Sequence, residues 1–384
     1  MSTAQRSIVT PFSVSLLLAA LVAYLLGPTA RQTAVVLGFF RSPANTVLAA
    51  DQTLVIDPET LAVRALRLDG FDGPFVTHGI DVIDDPQHPA GEAVYIFAVN
   101  HVPNRDHFVK GNSSAPKSRS VVEVFHHVLG SDSARHIRSV WDALIKTPND
   151  IYAASPTSFF VTNDHYYKEG PMRALEDLSR AAKWTSTIFV DFSQAAEDKT
   201  SDTQGVRAWV ALGNMHNNNG LGHGRRPDEI AVVSCCSGKL LLGTVVDGSS
   251  SALRAAPRSI QLSETIQFDS VVDNPSYFAD PFAKGSKDKS GFVLPGLTRA
   301  VDLPKTTRDP GATEPIMVWK ASPDESKSGW KTELLFEDDG SRVRSASSAV
   351  LVAADPAKHN GARRARLFVT GFLSKNMVAV DVDL

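Results

Sequence analysis

The sequence predicts an all-β protein whose strands repeat like the blades of a β-propeller. Short apolar runs of β-forming residues recur along the chain, and turn residues such as Asp-Gly, Ser-Gly and Pro-Gly separate them. Few segments show helical periodicity. Strand units that recur about every 40–50 residues are typical of propeller blades.

The predicted strands extend from Thr53 to the C-terminal region. They are Thr53–Ile56, Val76–Asp81, Val94–Val99, Val121–Phe125, Ile151–Ala154, Ser158–Val161, Thr187–Phe192, Val206–Leu212, Glu229–Ser234, Leu240–Val246, Pro315–Lys320, Ala349–Ala353, Leu367–Thr370 and Val378–Val382. Ser133–Ile145 and Met172–Lys183 are predicted to be helices, because their apolar residues recur three and four positions apart. Ala195–Gln204 and Asp280–Ser290 are polar and are predicted to be solvated loops.

Size and composition favour a soluble globular body and exclude one class of partner. The chain has 384 residues, of which 43% are hydrophobic, so it can bury a substantial core. Its net charge is only −3 and it has no long basic stretch, so nucleic acid is not an expected partner. The two cysteines, Cys235 and Cys236, are adjacent and imply no disulfide framework. We interpret them as small strand residues, with a redox pair as the alternative.

The N-terminal region predicts a membrane anchor. Pro11–Gly27 is an uncharged apolar run, slightly short for a spanning helix and long for the core of a signal peptide. We predict an uncleaved signal-anchor over residues 1–40, with a propeller over residues 41–384 in the lumen or outside the cell. A cleaved signal peptide and a secreted protein are the alternative. Asn112 begins a glycosylation sequon, which agrees with either location.

An Asn-Asp pair stands out at the end of a predicted strand. Asn163-Asp164 closes the strand-like run Ser158–Val161 and precedes an aromatic segment. Amide and carboxylate oxygens side by side are ligands that calcium accepts. An Asx-turn that ends a strand is the alternative interpretation.

Five motifs along the chain together resemble one known family. They are His78-Gly79-Ile80, Val99-Asn100-His101, the stretch Pro148–Tyr167, Asn219-Gly220 and Asp273-Asn274. From about Asp69 to the C-terminus the chain resembles the serum paraoxonase/arylesterase family, in its fungal and microbial branch. Gluconolactonase-like and strictosidine-synthase-like propellers share the architecture but match these motifs less well.

The resemblance implies a six-bladed β-propeller that holds one catalytic and one structural calcium ion in its central tunnel. It also implies hydrolysis of small-molecule esters or lactones, with the calcium polarising the carbonyl and a histidine dyad activating water. The implied histidines are His78, beside the catalytic calcium, and its partner His101. The implied catalytic-calcium ligands are Asn163, Asn219, Asp273 and Asn274. The implied structural-calcium ligands are Asp164 and the backbone carbonyl of Ile80.

The chain also departs from the family pattern near its N-terminus. The Glu-Asp pair of the first blade, one carboxylate for each calcium, has no counterpart, and Asp51 is the only nearby acid. The family's disulfide between the chain ends cannot form either. The first blade is therefore expected to be incomplete. The alternative function is a non-catalytic, membrane-anchored binding or scaffold propeller that has lost the full calcium site.

Overall fold

The fold is described by a computed structural model that covers residues 53–112, 114–194, 201–248, 257–284, 288–324 and 329–384. Strands dominate this part of the chain, and the all-β prediction is confirmed. The predicted anchor over residues 1–40 and Asp51 lie outside the described residues. Among the helices that are described, none has the length and apolar character needed to cross a membrane.

Five sheets, named I to V in chain order, contain the strands. Sheet I contains β1 (Thr53–Ile56), β2 (Val63–Asp69), β3 (Thr77–Asp84), β4 (Ala93–Pro103), β5 (Ser118–Val128) and β6 (Ser133–Val140). Sheet II contains β7 (Pro148–Ser155), β8 (Ser158–Asn163), β9 (Thr185–Asp191) and β10 (Arg207–Met215). Sheet III contains β11 (Asn218–His223), β12 (Glu229–Ser234), β13 (Lys239–Asp247) and β14 (Arg258–Gln267). Sheet IV contains β15 (Val271–Val272), β16 (Ser276–Phe278), β17 (Gly291–Leu297), β18 (Ile316–Pro323) and β19 (Trp330–Asp338). Sheet V contains β20 (Ala346–Ala353), β21 (Arg364–Gly371) and β22 (Val378–Asp383).

The sheets adopt a propeller arrangement, in which one edge strand of each sheet faces an edge strand of the next. β3 packs against β7, β7 against β11, β11 against β16, and β16 against β20. Six blades were predicted, but the described residues form five sheets. Among the described residues no sixth sheet forms from the β1–β2 hairpin, because β2 pairs in parallel with β6 and the hairpin extends sheet I.

The cores lie between successive sheets because side chains alternate along each strand. On β4, Phe97 and Val99 point into the core shared with sheet II, whereas Ile96 and Ala98 point into a separate core on the opposite face of sheet I. Similar clusters fill the spaces between sheets II and III, III and IV, and IV and V. This packing holds the central strands in fixed positions.

The described helices are short, and one of the two predicted helices is wrong. They are α1 (Arg105–Phe108), α2 (Pro171–Leu178) and α3 (Leu303–Thr306), with 3₁₀ turns at Cys235–Ser237, Ala300–Asp302 and Pro356–His359. Ser133–Ile145 begins with β6 instead, because hydrogen bonding along β5 outweighs a weak helical pattern. Met172–Lys183 does contain a helix, but α2 ends at Leu178 and Ser179 is extended.

The two cysteines were predicted to be strand residues, and this prediction is wrong. Cys235 and Cys236 begin the 3₁₀ turn between β12 and β13, and both are free thiols. The loop prediction for Asp280–Ser290 agrees with the described part of that segment, which contains no helix or strand.

Candidate active site

Three of the central strands carry a β-bulge. The pairing register shifts around His78-Gly79 on β3, around Asn149-Asp150 on β7 and around Asn219-Gly220 on β11. A bulge breaks the alternation of a strand and re-aims the side chains of the bulged residues, often next to an active site. The three bulges lie against one another, since a Cβ atom on Gly79 would come within 2.5 Å of Asp150 Oδ1.

A pair of histidines lies at one of these bulges. His78 Nδ1 is 3.0 Å from His101 Nε2, and His101 Nδ1 is 2.8 Å from the Ser120 hydroxyl. The amide nitrogen of Asn149 lies 3.3 Å from His78 Nε2. Because that amide can only donate, we assign the ring hydrogen of His78 to Nδ1, from which it is donated to His101. His101 then donates from Nδ1 to Ser120.

Both imidazoles are held in the neutral form. Burial lowers the pKa of His78, and it lowers the pKa of His101 to about 3, with the neighbouring His78 acting in the same direction. His78 is surrounded by many protein atoms and is still accessible to solvent, as expected of a residue that lines an opening. A neutral His78 whose Nε2 carries a lone pair can accept a proton.

Three amide oxygens on neighbouring segments have no partners, and one of them belongs to Asn149, whose amide nitrogen contacts His78. Oδ1 of Asn149, of Asn219 and of Asn274 is buried and has no hydrogen-bond partner among the described residues. The three side chains come from β7, β11 and the β15–β16 connection, which are neighbours at the centre of the propeller. A Cβ atom on Gly220 would lie 3.1 Å from Asn274 Oδ1, so the last two segments are in close contact. Buried oxygens without donors are costly unless a cation or water is bound to them.

Two carboxylates lie in the same region. Burial raises the pKa of Asp273 to about 7, and repulsion from Asp164 acts in the same direction. Burial also raises the pKa of Asp150, with further contributions from Asp81 and Asp273. Oδ1 of Asp150 accepts the backbone N–H of Ile151, and Oδ2 accepts that of Leu221. Buried carboxylates of this kind favour a positive charge between them.

The structure does not support Asn163 as a ligand. Its Oδ1 accepts the backbone N–H groups of Lys146 (2.8 Å) and Thr147 (3.0 Å), and its amide nitrogen donates to the carbonyl of Leu144 (2.8 Å). The side chain therefore fixes the loop before β7 and has no free oxygen for an ion. Asn149 has the partnerless oxygen that was expected of Asn163.

Asp164 is close to the site but is already paired. Its Oδ1 lies 3.1 Å from His165 Nδ1, and although burial opposes it, this ion pair lowers the pKa of Asp164. On its other side His165 contacts Asp177, 2.6 Å from Nε2 to Oδ1. Burial opposes protonation of His165 as well, yet the two carboxylates raise its pKa to about 10. His165 is therefore an imidazolium between two carboxylates.

Ile80 follows the bulge on β3, where its backbone pairs with Ala98. Its neighbour Gly79 is pressed against Asp150, because a Cβ atom there would overlap the Asn149 carbonyl and the Asp150 side chain. The backbone beside Ile80 therefore contacts Asp150. Among the described residues, no recorded contact joins Ile80 to Asp164.

Helix α2 is attached to the segment after β8 by a buried glutamate. Glu176 accepts the backbone N–H of Tyr166 at Oε1 (2.8 Å) and that of Tyr167 at Oε2 (2.9 Å). With the contact between Asp177 and His165, this fixes α2 beside the site.

Sequence reasoning missed Asn149 and Asp150, although a signal was present. The chain contains two Asn-Asp pairs, one before the apolar run Ile151–Ala154 and one after the run Ser158–Val161. In sheet II the first strand, β7, packs between β3 and β11, so the Asn-Asp pair early in that strand is the one on a central strand. A ranking by strand order would have selected Asn149-Asp150.

The assembled groups fit calcium. Amide oxygens without donors, together with carboxylates whose pKa values burial raises, form an all-oxygen donor set. The predicted residues Asn219, Asp273 and Asn274 belong to this set, and so does the added Asn149.

Comparison with known proteins supports the family named above. The Arylesterase family model matches residues 56–197. Over 141 residues the chain is 30% identical to the chicken serum paraoxonase/arylesterase 2, and over 128 residues it is 33% identical to the human protein of that name. These matches cover 36% and 33% of this chain, and 34% and 31% of the relatives. The match thus spans about a third of the length of these relatives.

The fold also resembles a solved lactonase structure. The periplasmic gluconolactonase of Pseudomonas aeruginosa aligns with 86% of this chain and 76% of its own, at 9% identity and a TM-score of 0.33. A likeness this distant carries no argument about function.

Proposed function

Because residues 56–197 of this chain belong to the arylesterase family, we propose that the protein is a calcium-dependent hydrolase of carboxylic esters or lactones. The observation that carries the proposal is the presence of three partnerless amide oxygens on neighbouring central segments, one of them on Asn149, which contacts the neutral histidine pair.

Two groups of residues would hold calcium. The catalytic ion would be held by Asn149, Asn219, Asp273 and Asn274. The amide oxygens of the three asparagines have no recorded partner, and the pKa of the Asp273 carboxyl is raised by burial. Asp150, with the backbone of Ile80, would hold the structural ion. When bound, calcium would polarise the substrate carbonyl and stabilise the oxyanion.

The histidine pair would activate the attacking water. His78 would accept the proton at Nε2, the nitrogen that carries its lone pair, once the water replaces the 3.3 Å contact from the Asn149 amide. Its Nδ1 hydrogen is donated to His101, which is oriented in turn by Ser120, so His101 and Ser120 would fix the ring and stabilise the charge that develops on it. His101 is then a positioning residue.

The catalytic set contains one formal negative charge, from Asp273, because the family's Glu has no counterpart among the described residues. Calcium affinity depends on the number of charged ligands, so we expect weak binding, with a dissociation constant on the order of 10⁻⁴–10⁻³ M. An assay must therefore supply calcium at millimolar concentration.

The test is hydrolysis of phenyl acetate and of a δ-lactone by the full chain, with calcium and after treatment with a chelator. We expect activity with calcium and little without it. We expect losses of at least ~100-fold in kcat/KM for His78→Gln, which removes the general base. Asp273→Asn should mainly raise the calcium concentration needed. His359→Gln, in a surface turn of another part of the propeller, is the control and should match the wild type.

Hydrolysis that survives both the chelator and His78→Gln would contradict the mechanism. Calcium binding without hydrolysis of either substrate would instead support the non-catalytic binding or scaffold protein. Placement of the propeller in the secretory pathway, with an anchor over residues 1–40 and glycosylation at Asn112, belongs to the same proposal. Asn112 is exposed, as a glycosylated residue must be.

A further inference from the structure

A second group of ligand-type side chains lies at the end of β3 that is remote from His78. Asp85 follows β3, His88 lies in the turn to β4, and His126 is on β5. The strand separates Asp85 from His78 by seven positions, which at ~3.3 Å per residue places them roughly 20 Å apart. This group, which we term the rim triad, takes no part in the site described above.

The rim triad converges on one oxygen atom. Oδ2 of Asp85 lies 2.9 Å from His88 Nδ1 and 2.9 Å from His126 Nε2, and the three atoms all lie within 4.8 Å of one another. The other oxygen, Oδ1, accepts the backbone N–H of Gln87 at 2.9 Å. That bond fixes the plane of the carboxylate and turns Oδ2 toward both imidazoles.

The surrounding structure positions each member of the rim triad. Asp85 is only 3% exposed, and its backbone N–H donates to the carbonyl of Ala93. His126 is largely buried and packs edge-on against Tyr95, its direct partner across β4 and β5, with ring centroids 5.0 Å apart. The His88 side chain is 43% exposed, so solvent and ions can reach the group from that side.

We propose that Asp85, His88 and His126 form a binding site for a zinc-class divalent ion, separate from the calcium centre. Two imidazole nitrogens and one carboxylate oxygen are a donor set that zinc accepts and calcium does not prefer. Zinc at 2.0–2.1 Å from tetrahedral ligands needs donor atoms ~3.3 Å apart, so the 2.9 Å contacts have to open by only a few tenths of an ångström.

The ion would have three protein ligands and one position open to solvent beside His88. It would join the β3–β4 turn to β5. Without an ion, the same side chains form two imidazole–carboxylate hydrogen bonds. The two states differ in metal binding, which can be measured directly.

The experiment measures zinc binding to the full, metal-free chain by isothermal titration with zinc chloride, in buffer that contains excess calcium. We expect one zinc ion per chain in this assay. His88→Gln and His126→Gln should each lower the zinc affinity by more than ~100-fold. Loss of a group that only hydrogen-bonds to a metal ligand costs ~10–100-fold, and loss of a ligand itself should cost more. Two controls should bind zinc like the wild type: His101→Gln, which disrupts the other histidine pair, and His359→Gln.

Circular dichroism of each variant separates lost binding from lost folding. His88→Gln is decisive because the His88 side chain is 43% exposed, so we expect its replacement to leave the fold intact. The proposal is overturned if the wild type binds no zinc, if His88→Gln binds it with unchanged affinity, or if His101→Gln abolishes binding. None of these outcomes depends on ester hydrolysis, so this proposal and the proposed function fail independently.

Discussion

Asn149 and Asn163 are the same residue type in the same Asn-Asp motif, yet they occupy opposite environments. The Asn163 amide oxygen accepts two backbone N–H groups, and its nitrogen donates to a backbone carbonyl, all in the loop before β7. Oδ1 of Asn149 has no partner among the described residues, and its strand β7 packs between β3 and β11. The available oxygen atom, and not the motif, decides which residue can bind an ion.

The first prediction separates these two roles by substitution. Asn149→Ala should weaken calcium binding at least tenfold and leave the stability of the calcium-free protein nearly unchanged. Asn163→Ala should destabilise the protein by about 1–3 kcal/mol, because it leaves buried backbone groups without partners. Calcium titration and urea unfolding in the presence of a chelator would measure the two effects. The reverse pattern would restore Asn163 as the ligand.

The second prediction concerns the pH dependence of hydrolysis. Burial lowers the pKa of His78, so its proton-accepting form persists at a more acidic pH than that of a free imidazole. The acidic limb of the kcat/KM profile should therefore have its midpoint below ~6.5, the usual pKa of histidine. A midpoint above that value, measured with phenyl acetate at saturating calcium, would rule out His78 as the base.

At the scale of the elements, bulges and one short helix shape the site. The bulges on β3, β7 and β11 bring His78, Asn149 and Asn219 to the centre, whereas a regular strand alternation would divide its side chains between two cores. Helix α2 is held beside the site by two buried acidic residues, Glu176 and Asp177.

The third prediction tests the attachment of α2. Glu176→Gln replaces one acceptor oxygen by an amide nitrogen that cannot accept the backbone N–H of Tyr166 or Tyr167. We expect a loss of about 1–3 kcal/mol in stability and faster hydrogen exchange at these two amides. Glu169→Gln is the control, since Glu169 is an exposed residue that pairs only with Lys117 at 3.2 Å in the recorded ion pairs. Equal exchange in both variants would contradict the role of Glu176.

At the scale of the whole molecule, the candidate ligands come from sheets II, III and IV. A bound ion would therefore add a direct link among three blades that otherwise pack through the cores between neighbouring sheets. The turn after β1 makes another long-range connection, because Arg366 of sheet V donates to the carbonyls of Pro58 and Glu59 at 3.0 and 3.2 Å. The first and last sheets are linked in this way although β1 and β2 form no blade of their own.

The fourth prediction concerns the stability of the calcium-free protein. The pKa of Asp273 is about 7 in the folded state and ~3.9 in the unfolded chain, so the folded state retains the proton longer. The contribution of protonated Asp273 to the free energy of unfolding is fully present below pH ~4 and is lost as the pH rises through 7. Compared with Asp273→Asn, the wild type should lose stability between pH 5 and 8 in chelator, as measured by urea unfolding.

Millimolar calcium should reverse this loss, because it binds the ionised carboxylate. Stabilisation by a ligand grows with its concentration and reaches about 2.7 kcal/mol at a hundredfold excess over the dissociation constant. If the free energies of unfolding of the wild type and Asp273→Asn change in parallel with pH in chelator, the pKa of Asp273 is not raised in the folded state.

The sequence by itself determined the all-β class, the family and the residue types at the site, because strand propensity and motif composition are local properties. It also predicted His78, His101, Asn219, Asp273 and Asn274 as site residues, and that assignment stays a prediction. The structure places His78 beside His101, and Asn274 beside Gly220. Only the tertiary structure decided which Asn-Asp pair keeps an amide oxygen without a partner, that Ser133–Val140 is a strand, and that the described chain forms five sheets. These depend on pairing and burial between segments far apart in the chain, which no local pattern encodes.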